Sequence, residues 1–373
     1  MAAPGRAADR VTPSYLSLAR EGDDETSSRD VVHNSVKAHR IRPCDLAARH
    51  GSWDDVKHTH RPGILPRTPQ DPSAPLSPGT HTITVPHGPA RVELRYHVAG
   101  SGPVCLAHSG GPGIGWEYLR MPGLEDSLTM VYVEPVGTGD SGRLPDSRDY
   151  TVATYAHFLH AVVQHLNVPR FTLLGHSHGG FVAQRYALDH PAWVAALVLY
   201  DTSPVADVEF WSAAVTAMEE FVKDHVEDHP EVADYTATLT SRLGVVDDDG
   251  ATAVLRTLMP AYLHDYWGRE AEFAPARRAL RMYAAPSLGE EPPFDVRDEL
   301  PLLTPPALVL AGRHDFICGP RWAALLHEGL DSAALTVLEE AGHLAHLEQP
   351  ARFGAAVLAF LHAQGVVRGP LNS

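Results

Sequence analysis

A chain of 373 residues with 44% hydrophobic and 20% charged side chains holds enough apolar material for one large core, and its length leaves room for a second domain. Lys and Arg total 30 against 46 Asp and Glu, a formal charge of -16 whose field repels phosphate backbones and anionic lipid heads and so excludes nucleic acid as a partner. Cys44, Cys105 and Cys318 are too few for a disulfide framework, no apolar leader opens the chain and no long apolar run interrupts it, so a cytoplasmic protein without a membrane span is expected.

Residues 1–80 are polar and irregular and end in Pro62, Pro66, Pro69, Pro72, Pro75 and Pro78, a spacing that blocks helix and sheet. They form a Pro-rich extension, disordered or loosely docked, with residues 47–56 suited to one short helix. From His81 the texture changes. Short β-branched or apolar runs predict strands at 81–85, 91–98, 103–107, 129–133, 171–175, 196–200, 307–311 and 334–338. The runs at 104–107, 130–133, 171–174 and 307–310 are near-continuously apolar, as strands covered on both faces are, and belong at the centre of a mostly parallel α/β sheet. Apolar residues at helical spacing over 153–166, 181–188 and 351–361 predict the helices that flank it. Between Asp201 and the strand at 307 the alternation gives way to helical patterns from Val208 to Ala284. This marks an inserted helical cap, residues 205–295, over the edge where open α/β sheets bind ligands. The core is then 81–204 with 296–366.

Gly175-His176-Ser177-His178-Gly179-Gly180 lies directly between a predicted strand and a predicted helix. A Gly-x-Ser-x-Gly turn in that setting exposes its serine at a sharp bend, where side chains in place of the glycines would strike neighbouring backbone. Ser177 is therefore the candidate nucleophile. A hydroxyl needs a base within hydrogen-bond reach, and the base needs an acid to hold its tautomer. In such sheets the chain order is Ser, acid, His. Asp315, after the strand at 307–311, and His343, after the strand at 334–338, complete that order at the same sheet edge. Asp201 is the rival acid, expected instead in turn or capping hydrogen bonds; His346 is the rival base, expected instead on the surface or in packing. Acyl transfer also needs donors for the oxyanion. His178 N–H supplies one, and the loop His108-Ser109-Gly110-Gly111-Pro112-Gly113 the other, Gly111 ahead of Gly110. Although 23 histidines are present, the pairs His157/His160 and His176/His178 lack an adjoining carboxylate or third histidine, and no nucleotide motif occurs; neither metal nor cofactor is expected.

These residues resemble the proline iminopeptidase branch of the α/β-hydrolases. The resemblance is carried by Gly110-Gly111-Pro112-Gly113, the loop from Glu134 to Ser141, the elbow at Ser177, Asp315 in Gly-Arg-x-Asp, and Gly342-His343, within residues 100–205 and 300–365. It implies an α/β-hydrolase fold and a cofactor-free serine hydrolase acting through an acyl-enzyme on a small-molecule substrate. Three departures stand out. Ser109 replaces the His that precedes Gly-Gly-Pro-Gly, Glu134-Pro135-Val136-Gly137 replaces Asp-Gln-Arg-Gly, and of the cap's Trp-x-x-Trp-Glu string there is only Trp211. The substrate therefore stays divided between a small peptide or amide of the iminopeptidase type and a small ester or lactone. A non-hydrolytic ligand-binding protein, the alternative from another class, would betray itself by a damaged triad. Trp116, Trp211 and Tyr262 are candidate substrate contacts.

Overall fold

The computed structural model describes residues 76–240, 247–287 and 293–368. The Pro-rich extension and its short helix at 47–56 lie outside the described residues. Only the end of that segment is within them, and it corrects the boundary at 80, because Gly79 and Thr80 already pair with Val98 and His97 at the start of the first strand.

All eight predicted strands are present, most of them a residue or two longer than expected. They are β1 (Gly79–His87), β2 (Ala90–Gly100), β3 (Val104–His108), β4 (Thr129–Glu134), β5 (Phe171–His176), β6 (Val194–Tyr200), β9 (Ala307–Gly312) and β10 (Ala333–Leu338), with the short β7 (Val205–Ala206) and β8 (Phe294–Asp295) between them in sequence. The sheet order is β1-β2-β4-β3-β5-β6-β9-β10. β1 and β2 pair antiparallel, as do β2 and β4, and from β4 to β10 every pairing is parallel.

Side chains alternate across the pleat, so each central strand feeds two cores. Leu106, Val131, Leu173, Leu197 and Val309 face one layer, with the helices Val152–Leu166, His178–Asp189 and Pro320–Gly329. Ala107, Tyr132, Leu174, Val198 and Leu310 face the other, where Phe353, Val357 and Leu361 of the helix Pro350–Ala363 pack. Covering on both faces is the physical reason these strands read as near-continuous apolar runs. Parallel neighbours require crossovers, and the first helix shows how sequence bounds one: Thr151 caps its start by accepting Thr154 N–H, and Asn167 ends it at φ 52°.

The cap leaves after β7 and returns through β8, and these two pair antiparallel, Val205 with Asp295 and Ala206 with Phe294. Asp207 and Asp247 cap the helices Val208–His225 and Asp248–Leu258 by accepting Phe210 and Gly250 N–H. Met218, Val232, Tyr235, Leu258 and Ala261 bury one another in a separate small core, while Leu255, Met259 and Phe273 join the second layer of the sheet. No helix of the described residues is long and apolar enough to cross a membrane.

Candidate active site

Ser177 stands one residue past β5, at φ 54° and ψ -122°, and opens the helix His178–Asp189. That conformation is costly for a non-glycine residue and persists because the surroundings hold it. Ser177 N–H donates to the Tyr200 carbonyl (3.0 Å), while its own carbonyl accepts from Gly180 N–H (2.8 Å) and from the Thr202 hydroxyl (2.7 Å). The glycines of the motif have a steric cause. A methyl at Gly175 would overlap the Gly179 backbone, and one at Gly179 would strike the carbonyls of His108 and Ser109.

Asp315 and His343 meet. His343 Nδ1–H donates to Asp315 Oδ2 at 2.7 Å, both side chains buried, and the second carboxylate oxygen accepts from Ile317 N–H (2.9 Å) and Cys318 N–H (3.0 Å). This leaves His343 Nε2 as the lone-pair nitrogen. The base's loop is pinned three times: His343 N–H donates to the Tyr262 carbonyl (2.8 Å), Gly342 N–H donates to Glu348 Oε2 (2.6 Å), and the His343 carbonyl accepts from His176 Nε2 (2.9 Å). The His176 ring, next to Ser177 in sequence, lies 4.7 Å from the His343 ring. Burial, with His343 and His346 as neighbours, keeps the His176 pKa well below the usual range, so this imidazole is neutral.

The rivals take other work. Asp201, buried, spends Oδ1 on Gly312 N–H (2.7 Å), as a strand-end carboxyl was expected to do. Its Oδ2 has no partner among the described residues, and burial together with the Asp315 charge pushes its pKa well above the carboxylate range. His346 is in packing and not on the surface: both ring nitrogens are occupied, by the Tyr200 hydroxyl (2.9 Å) and the Tyr118 carbonyl (2.8 Å).

In the glycine loop, Gly110 N–H already donates to the Tyr118 hydroxyl at 2.8 Å. That corrects its place among the oxyanion donors and leaves Gly111, at φ 134°, as the loop's candidate. The two departures in this neighbourhood have local explanations. The Ser109 hydroxyl closes the loop on the Ile114 carbonyl (2.9 Å). Glu134 accepts from Ser141 N–H (2.6 Å) and from Asp140 N–H, and pairs with His97 (2.9 Å), so it ties its own loop.

Of the candidate substrate contacts, Tyr262 lies at the site, its ring 5.5 Å from that of His343. Trp116 is taken up in a stack on His97 (3.9 Å), and Trp211 packs edge-on against Phe210 (5.1 Å). Spacing along the chain gave His176 no acidic neighbour, yet folding brings donor atoms of His176, Asp201 and His343, and also of Asp315, Cys318 and His343, within 4.8 Å of one another. Both His176 nitrogens and His343 Nδ1 are spent on hydrogen bonds, so the donor set is that of a hydrogen-bonded site. Two buried participants left no motif in the sequence. One is Tyr118. The other is Cys318, whose thiol burial and the charges of Asp315 and Asp201 push up, while the Ser177 side chain, within hydrogen-bonding reach, opposes them.

A strand-turn-helix serine, an acid-histidine pair and a glycine loop along the carboxyl edge of a mostly parallel sheet define a family. The sequence profile of the alpha/beta hydrolase fold matches residues 102–350, and the chain belongs to that family. It is similar to the proline iminopeptidase of Saccharolobus solfataricus, 23% identical over 282 residues covering 71% of this chain and 87% of that protein. It is likewise similar to the 2-hydroxy-6-oxo-2,4-heptadienoate hydrolase of Pseudomonas putida, 27% identical over 278 residues, 73% of this chain and 94% of that one. Among solved structures, a malate-bound thermophilic esterase from Thermogutta terrifontis superposes with a TM-score of 0.58 at 24% identity, covering 76% and 98% of the two chains.

Proposed function

We propose that this chain is a serine hydrolase that works through an acyl-enzyme. His343 Nε2 takes the Ser177 proton, Ser177 Oγ attacks the carbonyl carbon, and the oxyanion is met by the N–H groups of His178 and Gly111. The protonated imidazole gives its proton to the leaving group; water, activated by the same nitrogen, then releases the acid. The observation that carries this reading is the buried 2.7 Å bond from His343 to Asp315 beside a serine held at φ 54°. No cofactor enters the cycle.

The first substrate class is a small peptide or amide of the iminopeptidase type, supported by the glycine loop, the Asp315 setting and the likeness to proline iminopeptidases. A small ester or lactone is the second. It is favoured by the missing Trp-x-x-Trp-Glu string, of which only Trp211 is present, its ring packed edge-on against Phe210. Cys105 and Cys318 are buried and unbridged, in keeping with a reducing compartment.

The test is Ser177→Ala, assayed on proline naphthylamide and on p-nitrophenyl esters alongside the wild-type chain. Turnover is expected to vanish with circular dichroism and melting unchanged. A purified, folded variant that still hydrolyses at the wild-type rate overturns the assignment, and activity confined to the esters removes the iminopeptidase reading.

A further inference from the structure

Acyl transfer demands that three separate loops hold one geometry: the glycine loop after β3, the elbow after β5 and the histidine loop after β10. Two buried side chains in series, Tyr118 and His176, bridge them. The Tyr118 hydroxyl accepts Gly110 N–H (2.8 Å) and lies 2.6 Å from His176 Nδ1, while His176 Nε2 lies 2.9 Å from the His343 carbonyl.

The directions of these bonds follow from their ends. An amide N–H only donates and a carbonyl only accepts, so His176 carries its proton on Nε2 and offers a lone pair at Nδ1. The Tyr118 O–H must then point at Nδ1, and its oxygen is left to receive Gly110. The relay therefore runs from Gly110 N–H to the Tyr118 hydroxyl, from that hydroxyl to His176, and from His176 to the His343 main chain. Tyr118 is itself fixed, because its carbonyl takes the Nε2 proton of His346, whose other nitrogen is held by Tyr200. Gly110 backs directly on the nucleophile: a Cβ built there would lie 3.0 Å from the Ser177 Cβ and 3.2 Å from the Tyr118 oxygen. Any drift of Gly110 thus moves Gly111, the next amide, relative to Ser177.

We propose that Tyr118 is a positioning residue for acyl transfer, its hydroxyl setting the oxyanion loop in register with the serine and the base through His176. This rests on the assignment of Ser177 as nucleophile. A benzyl group at 118 keeps the packing but leaves Gly110 N–H and His176 Nδ1 without a buried partner, and the loop relaxes to find others.

The experiment is Tyr118→Phe, with active sites counted by fluorophosphonate titration so that misfolded protein drops out of the comparison. The expected result is a fall in kcat per titrated site of about tenfold to a hundredfold, with KM nearly unchanged. Affinity for a trifluoromethyl ketone, which forms the tetrahedral oxyanion, should fall by the same factor as kcat/KM. A purely structural tyrosine would lower the titratable fraction and leave kcat per site intact; that result, or an unchanged ketone affinity, overturns the proposal. Should Tyr118→Phe not fold, His176→Asn and His176→Gln decide. The Asn side chain can present an acceptor to Tyr118 where Nδ1 stood, whereas Gln reaches the His343 carbonyl and abandons Tyr118. The Gln variant should lose more kcat per site than the Asn variant, and equal or reversed losses overturn the proposal. Absence of fluorophosphonate labelling in the wild-type chain would instead count against Ser177 as nucleophile, so the two failures are distinguishable.

Discussion

His346 offers a measurement of what burial does to an imidazole. Tyr200, Tyr118, His176 and His343 surround it, and burial above all, with the His343 charge adding, holds its pKa down to about 4 although the Tyr118 carbonyl pulls the other way. In the unfolded chain the same ring titrates near 6.5. Between these values the unfolded state takes up a proton that the folded state refuses, so stability falls as pH falls, starting below the unfolded value and ending near pH 4. At pH 5.5 the linkage costs about 1.4 kcal/mol, and at pH 7.5 less than about 0.1 kcal/mol. The perturbation is His346→Gln, whose amide can still donate to the Tyr118 carbonyl and does not titrate. Whatever the fixed cost of that change, urea unfolding at pH 7.5 and 5.5 should show the variant's deficit against wild type shrinking by about 1.3 kcal/mol at the lower pH. A deficit equal at both pH values would refute the reasoning, because it would mean that this ring binds its proton alike in both states.

Two further expectations concern the site and its support. Asp315→Asn should preserve the fold and lower kcat by about 10³ to 10⁴, since the amide favours the wrong His343 tautomer; a loss below about tenfold would remove Asp315 as the orienting acid. In Gly312→Ala the new methyl would overlap the Gly342 carbonyl beside His343, so a stability loss of about 2 kcal/mol or more together with reduced kcat is expected, and unchanged denaturant midpoints would contradict it.

The strands were legible because the sheet is covered on both faces, which fills β3, β4, β5 and β9 with apolar residues nearly throughout, the polar exceptions Thr129 and Thr172 apart, until His108, Glu134 and His176 at their carboxyl ends. Ser177 was legible because its motif is local: strand, turn and helix are consecutive. Asp315 and His343 could be placed because each follows its own strand at a shared edge. What escaped is what only the third dimension brings together. Gly110 looked like a donor until Tyr118, eight residues on, claimed its N–H. His176 had no acidic neighbour in sequence but lies close to Asp201 in space, and Trp116 is occupied by His97 of β2. β7 and β8, two residues each, are too short to leave any period.

That short ribbon separates two evolutionary problems. The chain departs at Val205–Ala206 and comes home at Phe294–Asp295, and the two points are stitched to each other. A detour pinned at its neck absorbs residues gained or lost within itself, at an entropic cost that grows only slowly with length, and passes none of the change to β6 or β9. The roof can therefore be rebuilt for a new ligand while the bond-breaking edge beneath keeps its register.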